Sequence, residues 1–209
     1  MIGDLRIAVP RGALFGETLD LLDTLGVDTA EVRSNDRKLL FDSGQLITMR
    51  PSDVPTYVEA GAADIGVTGK DVLMEQSERN VYELVDLGFG RCSMVLASVE
   101  GDDAAGEALR RLGVMRVATK YPKTAASYFE RTGRQAEIVE VKGSVELAPL
   151  TGLAEAIVDL TATGTTLREN GLVVREEIAV ATARLIANPV SHKLKAEAID
   201  DVVRRLRAG

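Results

Sequence analysis

Tryptophan is absent from this sequence of 209 residues, and cysteine and histidine occur once each. The single Cys92 has no partner for an internal disulfide and no neighbour at zinc-ligand spacing. It reads as a small core residue in a reducing compartment. His192, just before the terminal helical run, fits a surface role better than a catalytic one. No Gly-x-Ser-x-Gly elbow, His-Glu-x-x-His or Cys-x-x-Cys occurs, so hydrolytic triads and zinc chemistry lack their residues. No apolar run approaches the ~20 residues of a membrane span. The opening Met1-Ile2-Gly3-Asp4-Leu5-Arg6 lacks the basic and long apolar parts of a secretion leader. The expectation is a cytoplasmic protein without membrane contact. Positive charge is also scarce: 25 Lys and Arg stand against 32 Asp and Glu, a formal net charge of −7. That balance argues against a nucleic-acid surface. Any anion site must therefore be local, built from a few cations and backbone N–H groups.

What the sequence does contain is alternation. Strand-like runs at 5–9, Leu46–Met49, 65–67, 94–99, 116–119, 138–141 and 157–160 are separated by helical runs at 16–25, 54–61, Ala104–Leu112 and 125–131. Leu19, Leu22 and Leu25 fall on one helical face, and Gly26 stops that helix. The tail 195–207 places Ala196, Ile199, Val202, Val203 and Leu206 on one side. The alternation predicts an α/β fold with mainly parallel sheets. It runs longer than one sheet needs, so two lobes are expected. The first comprises 1–90 plus 176–209 and the second 91–175, with crossings at Gly88-Phe89-Gly90 and along 175–180.

The segment 156–167, AIVDLTATGTTL, carries the clearest chemistry. An apolar strand ends in Asp159, followed by hydroxyl residues around Gly164 and a short helical stretch. Such a loop offers N–H and hydroxyl donors to a monophosphate, and an acidic group at the strand end can receive ribose hydroxyls. An ordinary Thr-capped turn explains Gly-Thr-Thr alone equally well, and Asp159 tips the balance. In the run 50–73, Ser52 and Asp53 read as a helix cap, and 64–67 as a strand. Thr68-Gly69-Lys70-Asp71 opens the next helix, which suits a scaffold with ligand loops at strand ends. Gly66-Val67-Thr68-Gly69-Lys70 is not a Walker loop, because its glycines are too close and Asp71 replaces the Ser or Thr. Arg11, Arg33, Arg37, Lys38, Lys120 and Lys123 sit in polar turns after strands. Most such cations only solvate a surface.

Together, Ile7-Ala8-Val9-Pro10-Arg11-Gly12, Arg37-Lys38-Leu39, the run 50–73, Val117-Ala118-Thr119-Lys120-Tyr121, Gly143-Ser144-Val145-Glu146-Leu147-Ala148-Pro149 and 159–172 resemble the ATP phosphoribosyltransferase family across nearly the whole chain. The resemblance implies two lobes like those of type II periplasmic binding proteins, with a ligand cleft between them. It implies condensation of ATP with phosphoribosyl pyrophosphate to N1-(5-phosphoribosyl)-ATP and pyrophosphate, the first step of histidine biosynthesis. By position, Thr163, Gly164, Thr165 and Thr166 would cradle the 5′-phosphate. Asp159 and Glu146 would hold ribose hydroxyls or help place Mg²⁺, the expected cofactor, held mainly by substrate phosphates. Arg37 would act in catalysis on the departing pyrophosphate, and Arg11, Gly12, Arg50 and Lys70 would bind polyphosphate. Two positions depart from the pattern. Ala13 stands where many members carry Arg, and Ala162 where some carry a second acid.

Ending at Gly209, the chain resembles the short family form. That form implies catalytic homodimers inside a hetero-oligomer with a regulatory subunit related to histidyl-tRNA synthetase, on which histidine feedback would reside. The rival reading is a non-catalytic solute-binding protein of the same fold, which the Asp159–Thr166 loop disfavours. A phosphoribosyltransferase for another base is disfavoured by the lack of paired acids before the loop.

Overall fold

In the computed structural model, which describes residues 4–41, 45–101 and 103–208, the chain divides into two units. Residues 1–3 of the opening discussed above lie outside the described residues. Unit 1 comprises Met1–Gly90 and Thr182–Gly209, and unit 2 comprises Arg91–Ala181.

Numbered in chain order, unit 1 contains β1 (Ile7–Pro10), α1 (Phe15–Thr24), α2 (Ala30–Ser34), β2 (Leu40–Phe41), β3 (Leu46–Met49), α3 (Val54–Glu59), β4 (Ile65–Gly69), α4 (Lys70–Glu75) and β5 (Tyr82–Asp86). After the return from unit 2 come β11 (Ala183–Ala187), α9 (Pro189–Leu194) and α10 (Ala196–Ala208). The sheet order is β2-β3-β1-β4-β11-β5. The leucine stripe on α1 is buried as its spacing predicts, and Ile199 and Val202 of α10 enter the same core beside Leu5, Ile7 and Leu46. Each fully buried aliphatic side chain contributes roughly 1.5–3 kcal/mol. Asp64, at the start of β4, is a buried knot. It accepts the Arg6 N–H at 2.8 Å, the Ser191 hydroxyl at 2.6 Å and the Lys195 ammonium at 2.8 Å. Asn188 caps α9 through the N–H groups of Val190 and Ser191.

Unit 2 contains β6 (Cys92–Val99), α5 (Ala104–Leu112), β7 (Met115–Thr119), α6 (Pro122–Arg131), β8 (Ala136–Glu140), α7 (Leu147–Leu150), β9 (Ala156–Thr161), α8 (Thr165–Glu169) and β10 (Leu172–Ala181). Its sheet runs β10-β6-β9-β7-β8. Apolar residues on its two faces, such as Met94 and Val117 on one and Val95 and Ile157 on the other, pack under different helices.

Three expectations are corrected. Both sheets are mixed and not mainly parallel. β1 runs parallel to β3 and β4, and β7 to β8 and β9, while β2, β5, β6, β10 and β11 join antiparallel. Residues 176–181 belong to unit 2, because β10 pairs with β6 to its end, where Ala181 lies opposite Cys92. There Glu176 takes both terminal nitrogens of Arg134, at 2.6 and 3.0 Å, and Glu177 accepts from Ser93 at 2.7 Å. Just beyond, inside unit 1, the Ala183 N–H donates to Phe89 O at 2.9 Å. The third correction concerns the cap: a 3-10 turn, Pro51–Asp53, leads straight into α3, and Asp53 makes no capping hydrogen bond.

Candidate active site

In unit 2 the strand register assembles the site. β7 and β9 run parallel with Thr119 opposite Val158, so Lys120, just past the carboxyl end of β7, meets Asp159, two residues before the carboxyl end of β9. Ligand loops of α/β sheets gather at such ends. Thr119 is buried, and its hydroxyl accepts the Tyr121 N–H at 2.9 Å, which turns the chain sharply before Pro122 opens α6. Asp159 is 6% exposed. Its Oδ1 accepts the Leu160 N–H at 2.8 Å and lies 3.3 Å from the Lys120 ammonium. Burial holds the Asp159 carboxyl above its ordinary value, against the pull of Lys120 and the Leu160 N–H, and the charge of Glu146 adds to the rise. Glu146 stands at the N-cap of α7.

The loop after β9 is braced from within. The Gly164 N–H donates to the Thr161 hydroxyl at 2.8 Å, and the hydroxyls of Thr163 and Thr165 lie 2.9 Å apart. Thr166 follows, exposed, in the first turn of α8. Arg168 reaches back over the loop, with Nη1 donating to Thr163 O at 3.0 Å and Nη2 to the Thr165 hydroxyl at 3.1 Å. Gly164 has φ +71°, and a Cβ there would lie 2.9 Å from Arg168 Nη1. The left-handed backbone favours glycine here, and a Cβ would also push the Arg168 guanidinium aside. Sequence reading passed over Arg168. Its signal was the i+3 spacing from Thr165, one helical turn away.

In unit 1 the expected cations differ in their commitments. Arg11 is held by its own unit: Nη1 faces Asp36 at 3.3 Å, and Nη2 faces Asn35 O at 3.2 Å, Lys38 O at 2.9 Å and the Thr48 hydroxyl at 3.1 Å. Its guanidinium also stacks on Phe15, 4.8 Å from the ring centroid. Lys70 is paired with Glu83 at 2.6 Å. Arg37 and Arg50 are exposed, and neither side chain has a hydrogen bond or ion pair among the described residues. Gly12 takes φ +83°, where the chain leaves β1. Arg11, Arg50, Thr48 and Tyr57 line one cavity of about 380 Å³, and Lys70 is outside that lining. Among the described residues no three His, Cys, Asp or Glu side chains cluster as metal ligands, and no helix is long and apolar enough to cross a membrane.

Unit 2 places a buried carboxylate beside a hydroxyl-rich loop, and the relatives that the chain matches make it a pentosyltransferase. A family model described as HisG: ATP phosphoribosyltransferase matches residues 50–208. The ATP phosphoribosyltransferase of Rubrobacter xylanophilus is 57% identical over 194 residues, covering 91% of this chain and 89% of its own. The chain belongs to the ATP phosphoribosyltransferase family. Among solved structures, the ATP phosphoribosyl transferase (HisG:HisZ) complex from Thermotoga maritima is similar at TM-score 0.81 and 35% identity, over 98% of this chain and 97% of that one. The periplasmic aliphatic sulphonate binding protein SsuA of Escherichia coli shares the fold alone. It has TM-score 0.62 and 12% identity, over 97% of this chain and 70% of its own.

Proposed function

We propose that this chain performs its family's reaction with the residue roles that follow, the buried Asp159 and its braced loop being the observation that carries them. The reaction joins ATP to phosphoribosyl pyrophosphate, releasing pyrophosphate at the first step of histidine biosynthesis. Thr163, Gly164, Thr165 and Thr166 receive the 5′-phosphate, with Arg168 holding the loop in shape and adding positive charge. Asp159 and Glu146 receive ribose hydroxyls. Adenine N1 brings its own lone pair to the ribosyl C1, so attack needs no protein base. The protein's work is alignment and stabilisation of charge on the leaving group.

Of the expected cations, Arg37 and Arg50 are the ones without a partner among the described residues, and they take the polyphosphate contacts. Arg11 acts at one remove, by ordering the 35–38 turn that presents Arg37. Its terminal nitrogens already have acceptors, so it does not make up for the missing cation at Ala13. Gly12 gives the turn after β1 its left-handed backbone, and Lys70 contributes charge from its pair with Glu83. Mg²⁺ would be held mainly by the phosphates of phosphoribosyl pyrophosphate and would supply charge neutralisation at the leaving group.

Catalytic homodimers associate with a histidyl-tRNA-synthetase-like regulatory subunit, a reading supported by the HisG:HisZ composition of the Thermotoga maritima relative. Calorimetric titration with phosphoribosyl pyrophosphate and Mg²⁺, using ribose 5-phosphate as the comparison ligand, tests the sugar site. Saturable binding of both is expected, and no heat from either at millimolar concentration would overturn the assignment.

A further inference from the structure

Asp159 is nine-tenths buried, and its two hydrogen-bonding and ionic partners converge on one oxygen. Oδ1 receives the Leu160 N–H at 2.8 Å and faces the Lys120 ammonium at 3.3 Å. Oδ2 has no hydrogen bond among the described residues, and it is not among the polar atoms sealed from solvent without a partner. The carboxylate is therefore held on one side and left as an acceptor on the other.

Lys120 reaches this position through the fold. The parallel register of β7 and β9 brings it beside Asp159, and the Thr119–Tyr121 turn redirects the chain at the same point. The Lys120 ammonium also lies 5.7 Å from the centre of the Tyr121 ring, a second favourable contact on the same side of the site. Stability gives little reason for the pair, because the cost of burying the Asp159 charge offsets much of its attraction to a lysine that stays partly in solvent. A buried carboxylate opened toward hydroxyl donors gives a better one.

We infer that Lys120 is a positioning residue of the sugar site: it fixes the Asp159 carboxylate through Oδ1 and leaves Oδ2 to accept the hydroxyls of a ribose 5-phosphate moiety. The inference rests on the sugar-site reading above. Lys120 acts through Asp159 and not by touching the sugar.

A double-mutant cycle read by calorimetry with ribose 5-phosphate tests it. Lys120→Met is expected to weaken binding ~10-fold or more, the size of a lost charge-assisted hydrogen bond. Lys120→Arg keeps a cation within reach and restores most of the affinity. Adding Lys120→Met to Asp159→Asn is expected to change nothing further. An additive loss would mean that Lys120 meets the ligand directly and would overturn the positioning role. Because Lys120→Met leaves a buried carboxylate unpaired, Lys120→Gln is the second variant, and wild-type affinity in a folded form of either overturns the inference. A wild-type chain that binds no ribose 5-phosphate refutes the sugar site itself, a result separate from any of these.

Discussion

The Nη2 of Arg11 lies 3.1 Å from the Thr48 hydroxyl, fastening the end of β1 to its neighbour β3 while the same nitrogen holds the carbonyls of Asn35 and Lys38. One flat, forked cation thus organises three backbone segments. Arg11→Lys keeps the charge and loses the fork. The expected result is a fall in kcat of ~10-fold or more as the 35–38 turn loosens, with ribose 5-phosphate affinity unchanged. Steady-state kinetics beside calorimetry decide it, and full activity in the lysine variant would show that charge alone suffices.

Arg37→Ala separates chemistry from binding. Arg37 is free to meet a leaving group, so its loss is expected to lower turnover by ~100-fold while phosphoribosyl pyrophosphate affinity changes only a few-fold. Equal losses in both would make Arg37 a ground-state binder.

The loop after β9 invites two substitutions. Thr165→Asp puts a carboxylate where the 5′-phosphate is expected, and ribose 5-phosphate binding should vanish. Gly164→Ala strains a left-handed residue, at a cost of about 1 kcal/mol, and displaces Arg168. It should weaken phosphate binding more than that strain lowers the melting temperature. Retained affinity in Thr165→Asp would rule out the loop as the phosphate site.

Asp64 links acidity to stability. Burial alone would raise its carboxyl, but hydrogen bonds from Lys195, Ser191 and the Arg6 N–H outweigh burial and hold it below the ordinary 3.8. A depressed folded value means that the contribution is present above pH 3.8 and is lost as pH falls through the folded value. Asp64→Asn should cost about 2 kcal/mol near neutrality and reduce the loss of stability in acid. Denaturant titrations at pH 7 and pH 3 would expose an unchanged acid sensitivity, which would contradict this account.

Local pattern reached some of this architecture and missed the rest for physical reasons. The α1 stripe and the amphipathic α10 were legible because a helix writes its buried face into its own spacing. The antiparallel additions were not, because strand direction depends on partners far along the chain. Arg175, Glu176 and Glu177 looked like a linker, yet they lie on an edge strand, where charged residues are ordinary. Asp159 and its loop were readable as a motif. That Arg11 is already engaged was not, since two of its acceptors are backbone carbonyls with no sequence signature. Lys120 gained its meaning only when the β7–β9 register set it beside Asp159.

Cys92 and Ala181 face each other at the border of unit 2, and Phe89 and Ala183 are hydrogen-bonded on the unit 1 side. Each unit therefore closes upon itself where the chain passes to the other. In topological terms residues 91–181 form a cassette whose two splice points are neighbours. Exchange with the corresponding piece of a relative would need no new linker, and the residues proposed for the sugar site, from Lys120 to Arg168, would travel in a single contiguous block.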